Sequence, residues 1–481
     1  MRRRDFLTRA LAGAGTIVSS GSALVVAGCR RAPDVSRESQ LPHADYVRRE
    51  ARQTGPTREV RLVAAPGEVE VIRGRPYRTW LYNGQFPGPE IRVAEGERVR
   101  VTVENRLPEG TTVHWHGIPV PNAMDGVPGV TQDPIRPGDN FLYDFVADVP
   151  GTYLYHSHAG LQIDRGLVAP FIVEERQPAV DYDREHTVIL DDFLPGEPAP
   201  LSGGPGGMMR RGGMRGGMMG AQMPPYAGLL INGRLPDDPT VFETKRGERV
   251  RLRLLNPSGA TTFRFAIAGH RMDVVAADGQ SVQPLTVDSL LIGMGERYDA
   301  IVAADQPGVW TMMAVAVEAN LLPARALLRY ADAGAATPPP ANAVPEGLER
   351  GRALELADLR ALDNSAGRAP DRTIDLALSG GMMSSAWTIN GQTYPDAEPI
   401  SIREGERVRI RMINHSMMWH PMHLHGHFFR VADISKDTIL VPPHMGRATI
   451  DFTADNPGNW LFHCHNIYHM EAGMARVLRY A

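Results

Sequence analysis

Cysteine is nearly absent from this sequence, since only Cys29 and Cys464 occur among its 481 residues. Two cysteines cannot build a disulfide framework, so the fold must depend on apolar cores. An excess of positive charge is also missing: 51 Lys and Arg stand against 55 Asp and Glu, a net charge of −4. This balance argues against nucleic-acid binding. At roughly 150 residues per domain, the length predicts about three domains.

Long apolar runs are lacking as well, even near the N-terminus. Residues 2–7 read Arg-Arg-Arg-Asp-Phe-Leu, and a small-residue run with several glycines follows over 10–28, too polar for a membrane-spanning helix. This layout is typical of an export signal, and the paired arginines resemble the bacterial twin-arginine signal. Residues 26–29 resemble a lipobox, which favours acylation of Cys29 and membrane attachment; ordinary cleavage that discards Cys29 is the alternative. We therefore predict an export signal over 1–29 and a periplasmic or extracytoplasmic protein.

A threefold repeat organises the rest of the chain. The string Gly-Glu-Arg-Val-Arg begins at Gly96, Gly247 and Gly405, and each copy is followed by an asparagine nine residues after its glycine. An Asn-Gly pair precedes each copy and a Pro-Gly pair follows it, which indicates three homologous domains. Short runs rich in Val, Ile and Thr, such as 98–104 and 408–413, predict β-sandwich or Greek-key barrel domains with little helix.

The repeat also sets the expected domain boundaries, which are 54–176, 185–331 and 370–481. Residues 332–369 are predicted to link the second and third repeats, with a short helix over 347–362 that places leucines on one face. Residues 202–225 interrupt the second repeat with a stretch of methionine and glycine whose composition cannot build a packed core.

Histidine is the unusual residue of this chain. It forms five His-x-His pairs, whereas 16 histidines placed at random predict about half of one pair. Residues i and i+2 of a strand share a face, so each pair can hold a metal. The first and third repeats carry the pairs and the second has none; if the outer repeats meet, eight imidazoles suit a cluster of about three ions. The pairs are His114/His116, His156/His158, His423/His425, His425/His427 and His463/His465.

Cys464 lies between two of these histidines, and its thiol must face the other side of the strand. A second metal site can therefore form inside the third repeat. One thiolate, two imidazoles and a methionine make the donor set of a blue-copper electron-transfer centre, joined to the cluster by the backbone of one strand. The predicted donors are His420, Cys464, His469 and Met474.

Taken together, the motifs resemble those of three-domain multicopper oxidases, in the group of bacterial laccases, copper-resistance proteins and cuprous oxidases. The matching segments are 114–117 (HWHG), 156–158 (HSH), 420–427 (HPMHLHGH) and 463–465 (HCH), with His469 and Met474 after them. The resemblance implies an all-β protein of three cupredoxin-like Greek-key β-barrel domains that binds four copper ions. It assigns the type 1 ion to His420, Cys464, His469 and Met474, the type 2 ion to His114 and His423, and the type 3 pair to His116, His156, His158, His425, His463 and His465.

The resemblance also implies the activity. A small reducing substrate, a phenol or Cu(I), would give up electrons singly near Cys464, and His463 and His465 would lead them to a site where O₂ becomes water, with a role in copper tolerance. Asp125 resembles the family's acidic residue beside type 2 copper and would supply protons; a turn aspartate without this role is the alternative. Copper-efflux members carry a relay glutamate where this chain has Met470. We expect a monomer.

Two further readings stay open at the level of sequence. The methionine-rich segment could gather Cu(I), because thioethers are soft ligands, or could be an insertion without a specific role. A periplasmic copper-binding or storage protein is the alternative function for the whole chain. A zinc hydrolase is disfavoured, since no hydrolase site needs a lone cysteine flanked by His-x-His.

Overall fold

The computed structural model describes residues 49–201, 223–362, 367–381 and 384–481. The predicted export signal lies outside these residues, and so does the methionine-rich stretch apart from its last three positions. In the first repeat the strands are β1 (Thr57–Ile72), β2 (Arg75–Tyr82), β3 (Ile91–Ala94), β4 (Glu97–Asn105), β5 (His114–His116), β6 (Asn140–Ala147), β7 (Gly151–His156) and β8 (Val168–Glu174).

The second repeat continues the series. Its strands are β9 (Arg184–Phe193), β10 (Gly228–Ile231), β11 (Thr240–Thr244), β12 (Arg249–Leu255), β13 (Phe263–Ile267), β14 (Met272–Ala277), β15 (Gln280–Val287), β16 (Leu290–Ile292), β17 (Arg297–Ala303), β18 (Val309–Ala316) and β19 (Ala324–Tyr330).

In the third repeat the strands are β20 (Arg372–Gly381), β21 (Ser384–Ile389), β22 (Ile400–Ile402), β23 (Arg407–Asn414), β24 (His420–Leu424), β25 (Phe429–Val431), β26 (Ile434–Lys436), β27 (Thr438–Val441), β28 (Arg447–Thr453), β29 (Asn459–Cys464) and β30 (Ala475–Tyr480). Two short α-helices, α1 (Glu346–Glu349) and α2 (Ile467–Glu471), accompany them. The described part of the chain contains no helix long and apolar enough to span a membrane.

Each repeat folds into two sheets that share the same order of four strands, and the second and third repeats add one or two strands at one edge. One sheet has a central strand (β4, β12 or β23) paired in parallel with β1, β9 or β20 and antiparallel with β6, β17 or β28. The other has orders β3-β8-β7-β5, β11-β19-β18-β13-β16 and β22-β30-β29-β24-β27. The strands predicted over 98–104 and 408–413 are present as β4 and β23, and side chains alternate between buried and exposed along β4.

The repeated asparagines explain why the loops between the sheets fold alike. The side-chain amides of Asn105, Asn256 and Asn414 are buried and each donates to two or more backbone carbonyls across its own loop. Asn414 reaches the carbonyl of Met418 at 2.8 Å, two residues before β24. A buried amide without partners would be costly, so these bonds fix the approach of each loop to the following strand.

The helix predicted over 347–362 is wrong. Only Glu346–Glu349 is α-helical, and Leu356–Asp358 forms one 3₁₀ turn. Ala353 and Ala361 instead form β-bridges to Ser289 and Val282 of the second repeat. Leu354 and Leu359 are 8% and 0% exposed in the apolar core. Burial in this core outweighed the local helical pattern.

Candidate metal centres

The candidate ligands of each outer repeat lie on neighbouring strands in register. In the first repeat β5 pairs with β7, and His114 is opposite His156. In the third repeat β24 pairs with β29, and His423 is opposite His463. The equivalent pair in the second repeat, β13 and β18, carries apolar side chains such as Phe263 at these positions. The described residues of the second repeat therefore contribute no candidate ligand at this position.

Eight imidazoles meet between the first and third repeats. All eight are at most 7% exposed. The Nε2 atoms of three pairs approach to 3.0–3.4 Å: His114 with His423, His156 with His465, and His425 with His463. Two nitrogens bound about 2 Å from one ion at a tetrahedral angle lie about 3.3 Å apart, so the spacing suits shared ions.

Ring stacking shows how the two repeats interlock. His114 stacks on His425 with centroids 3.8 Å apart, and His116 stacks on His423 at the same distance. Each stack joins a histidine of β5 to a histidine of the third repeat's motif. The outer repeats therefore meet face to face, as the distribution of His-x-His pairs predicted.

Hydrogen bonds aim several of these rings. Nδ1 of His156 donates to the carbonyl of Ser157 and Nδ1 of His463 to that of Cys464, both at 2.9 Å. A donating Nδ1–H leaves Nε2 as the free lone pair that a metal needs. The buried atoms His116 Nδ1 and His158 Nε2 have no hydrogen-bond partner among the described residues. A metal ion bound at each of these rings would satisfy the two nitrogens.

Two buried carboxylates, those of Asp125 and Asp437, contact histidines of the cluster. Asp125 lies 3.0 Å from Nδ1 of His425 and 3.2 Å from Nδ1 of His114. Asp437 lies 3.3 Å from Nε2 of His116 and 3.5 Å from Nδ1 of His423. Each therefore contacts one histidine of the first repeat and one of the third.

The contact of Asp437 with the cluster could not be predicted from the sequence, because its spacing from the histidine motif matches no recognisable pattern. Its carboxylate forms a two-pronged ion pair with Arg297, at 2.8 and 2.6 Å. Burial alone would raise the pKa of Asp437, but the charge and hydrogen bonds of Arg297 outweigh it and hold that pKa well below its ordinary value.

The thiol of Cys464 faces the interior of the third repeat, away from the cluster. Its Sγ lies 3.5 Å from Nδ1 of His420 and 3.6 Å from Nδ1 of His469, and the two nitrogens are 3.2 Å apart. Met474 is 0% exposed, and its backbone carbonyl accepts the backbone N–H of Cys464 at 3.0 Å. The three short distances form a triangle that fits one ion in a trigonal His₂Cys set, and copper is the metal that such a set selects.

Burial keeps the imidazoles neutral, which is their ligand form. It lowers the pKa of His156 and of His420 to about 3. It also lowers the pKa values of His116, His158, His423, His425, His463, His465 and His469. Burial raises the pKa of the Cys464 thiol, so a cation must compensate for the thiolate.

The His425/His427 pair contributes only His425 to the cluster. His427 binds the Tyr480 hydroxyl at 2.6 Å through Nε2 and the carbonyl of His425 at 2.9 Å through Nδ1. Both ring nitrogens of His427 are thus occupied by hydrogen bonds, so neither is free to bind a metal.

A solvent-connected cavity of about 320 Å³ reaches the cluster at His158. Apolar side chains form much of its wall, and Met470 and Glu471 of α2 also line it. A smaller cavity shares His158 and Met470 with it and touches His463. The wall residues of the larger cavity are Val127, Pro128, Pro134, His158, Ala159, Gly160, Tyr394, Pro395, Leu461, Met470 and Glu471.

Comparison with known proteins agrees with this geometry. Family models described as multicopper oxidase match residues 64–178, 209–333 and 368–481. Multicopper oxidase MmcO of Mycobacterium tuberculosis is 39% identical over 99% of this chain and 97% of its own. A copper resistance protein A homolog of Pseudomonas syringae pv. tomato is 32% identical over 86% and 91% of the two chains.

A solved structure shares the fold. Fet3p, described as a multicopper oxidase that functions in iron import, superposes with a TM-score of 0.77 at 24% identity, over 88% of this chain and 90% of its own. The all-β architecture of cupredoxin-like domains predicted from the sequence is confirmed. With matching models in all three repeats and relatives along nearly its whole length, the chain belongs to the multicopper oxidase family.

Proposed function

We propose that the protein oxidises a small donor, Cu(I) or a phenol, one electron at a time and reduces O₂ to water, with a role in copper tolerance. One observation carries this proposal: Cys464 faces one donor set while His463 and His465 face another. A protein that only stores copper needs no such connection between two sites.

The proposed ligand sets follow the geometry. We assign four copper ions, one to the Cys464 site and three to the imidazole cluster. When bound, copper supplies the one-electron redox chemistry of the reaction. The type 1 ligands are His420, Cys464, His469 and Met474. Type 2 ligands are His114 and His423, and the two type 3 ions take His116, His156 and His465, and His158, His425 and His463.

The chain itself connects the two sites. The peptide bonds on either side of Cys464 lead to His463 and His465, and the bond from His463 Nδ1 to the Cys464 carbonyl adds a shorter path. The carboxylate of Asp125, within 3.2 Å of both His114 and His425, is placed to hold a proton for oxygen reduction. The cavity that ends at His158 is the proposed route for dioxygen.

Donors approach the Cys464 site from the side of α2. The imidazole of His469 is 0% exposed and is stacked against Trp387, with centroids 3.8 Å apart. Leu201 and Met223 pack against the apolar cluster that contains Ile467 and Tyr468 of α2. Thioethers are soft ligands that select Cu(I), so the methionines in the sequence of 202–225 favour Cu(I) as a donor.

Localisation is proposed from the sequence. We propose export by the twin-arginine route to the periplasm and attachment through acylated Cys29, and a monomeric enzyme. Substituting Arg3 and Arg4, the pair directly before Asp5, by lysine is expected to leave precursor in the cytoplasm. Cys29→Ala is expected to move mature protein from the membrane fraction to the soluble fraction; unchanged fractionation would contradict the lipid anchor.

The function is tested on the copper-loaded protein. We expect about four copper ions per chain, a blue absorption, and one O₂ consumed for every four Cu(I) or phenol molecules oxidised. Many bound Cu(I) ions without oxygen uptake would favour the storage protein instead.

A further inference from the structure

The second repeat contributes no candidate ligand, yet one of its arginines reaches the cluster. Arg297 opens β17 and is 0% exposed. Its Nη1 and Nη2 donate to the two carboxylate oxygens of Asp437 at 2.8 and 2.6 Å. Its Nε donates to the carbonyl of Thr152 at 3.0 Å. One guanidinium therefore joins all three repeats.

The partner of Arg297 touches the cluster directly. The Oδ1 of Asp437 is 3.3 Å from Nε2 of His116. Nδ1 of His423 donates to the backbone carbonyl of Asp437 at 2.9 Å and lies 3.5 Å from Oδ1. These two rings stack on each other, and Nδ1 of His116 is the buried atom without a partner. A carboxylate on one nitrogen of an imidazole fixes the direction of the other nitrogen.

The neighbouring cation has other partners. The ammonium of Lys436 lies 3.1 Å from Asp278 and 3.2 Å from Glu296. Asp125, the second carboxylate at the cluster, has no arginine or lysine within ion-pair distance among the described residues. Arg297 also lies 3.6 Å from Asp278, but its two shortest ion-pair contacts are to the oxygens of Asp437.

The local backbone makes room for this pair. A Cβ on Gly117, the residue after His116, would lie 2.3 Å from an Arg297 guanidinium nitrogen and 2.6 Å from an Asp437 oxygen. Gly117 also has φ +87°, which favours glycine. The close approach of the ion pair and the position of His116 are therefore fitted to each other.

We propose that Arg297 is a positioning residue of the oxygen-reducing cluster, which fixes Asp437 and through it the rings of His116 and His423. This rests on the function proposed above. The proposal gives the second repeat a role in the reaction, because Arg297 supplies the charge that orients one type 3 ligand, His116, and one type 2 ligand, His423. Lysine cannot replace the arginine, because an ammonium lacks the planar fork that binds both oxygens and Thr152 together.

The test compares two buried arginines of the same repeat in the copper-loaded full-length protein. Arg297→Lys is expected to lower the affinity for cluster copper by about 10- to 100-fold and to change the electron paramagnetic resonance signal of type 2 copper, with the blue band of the Cys464 site unchanged. Arg251→Lys is the matched control. Arg251 is 4% exposed and pairs with Glu175 and Asp299, away from Asp437. It is expected to leave the type 2 signal and cluster copper unchanged.

A second variant covers the case in which Arg297→Lys does not fold. Asp437→Asn keeps the arginine and is expected to change the same type 2 signal, and adding Arg297→Lys to it is expected to bring no further change. The proposal is overturned if either single variant that folds keeps the wild-type type 2 signal and cluster copper, or if the blue band is lost in parallel. Wild-type protein that binds copper without consuming O₂ would instead contradict the proposed function, while the resonance signal would still report on Arg297.

Discussion

The Oδ2 atom of Asp125 lies 3.0 Å from Nδ1 of His425, so an aspartate of the first repeat holds a histidine of the third. Asp437 forms the reverse contact, from the third repeat to His116 of the first. The cluster therefore depends on carboxylates that cross the interface in both directions. Both aspartates are at most 1% exposed at the side chain, so neither contact is open to competition from water.

Cys464 offers the most direct test of the proposed electron path. Cys464→Ser is expected to abolish the blue absorption and turnover with every donor, because a hydroxyl does not replace thiolate as a copper ligand. Copper content should fall by about one ion per chain while the cluster stays occupied. Metal analysis and absorption spectroscopy check this, with Cys29→Ser as the control that keeps the blue band. Turnover retained without Cys464 would refute the proposed electron path.

The cavity at His158 predicts a separate effect on oxygen. Pro128 lines it and is half-buried, so Pro128→Phe is expected to narrow the path and raise the KM for O₂ several-fold. The rate at which an anaerobic donor reduces the blue site should stay the same, since none of the four proposed ligands of that site lines the cavity. Oxygen-electrode and stopped-flow measurements separate the two. An unchanged KM for O₂ would exclude this route.

The methionine-rich segment predicts donor selectivity. Replacing its methionines at 208, 209, 214, 218 and 219 by leucine keeps apolar bulk but removes the soft ligands. We expect oxidation of Cu(I) at low concentration to slow several-fold and oxidation of a phenol to stay unchanged. Met445→Leu, at an exposed methionine in the third repeat, is the control. Equal loss with both donors would indicate a general effect on access instead.

Stability should depend on pH through Glu318, which lies far from the candidate ligands in sequence. Burial, assisted by the charge of Asp192, raises the pKa of Glu318 to about 7, although it accepts a hydrogen bond from the Thr262 N–H at 3.0 Å. Between its ordinary pKa near 4.5 and pH 7 the folded protein holds a proton that the unfolded chain has lost, so stability falls as pH rises through this window.

Glu318→Gln removes the buried charge and keeps an acceptor for Thr262. We expect it to raise the melting temperature by about 2 to 5 °C at pH 8 and to leave it unchanged at pH 4. Scanning calorimetry at both pH values measures this. Glu349→Gln, at an exposed glutamate, should show no such difference between pH values. A gain at pH 4 as large as that at pH 8 would point to packing rather than charge.

Much of this protein could be predicted from local sequence. The repeated Gly-Glu-Arg-Val-Arg strings mark the central strand of one sheet in each repeat. The alternation of His463 and Cys464 at the end of β29, continued by His465 just after it, predicted the two groups of side chains that the structure separates. Both patterns work because the two-residue period of a strand is fixed by backbone geometry.

Other features arise only from the packing of distant segments. Asp437 and Arg297 are 140 residues apart, and neither stands in a motif that suggests a partner. The leucines of 347–362 follow a helical period, but this segment forms β-bridges with residues of the second and third repeats instead of a helix. Propensity acts within a few residues, whereas these contacts depend on how whole sheets pack.

The two donor sets also differ in how much of the chain must be in place before they exist. His420 and Cys464 are 44 residues apart within one repeat, whereas His114 and His423 are separated by 309 residues. Closing the longer loop requires docking of folded domains, which is slower than local assembly. We expect refolding protein supplied with copper to regain its blue colour before it can reduce O₂. In that interval the Cys464 site would accept electrons that cannot pass on to the cluster.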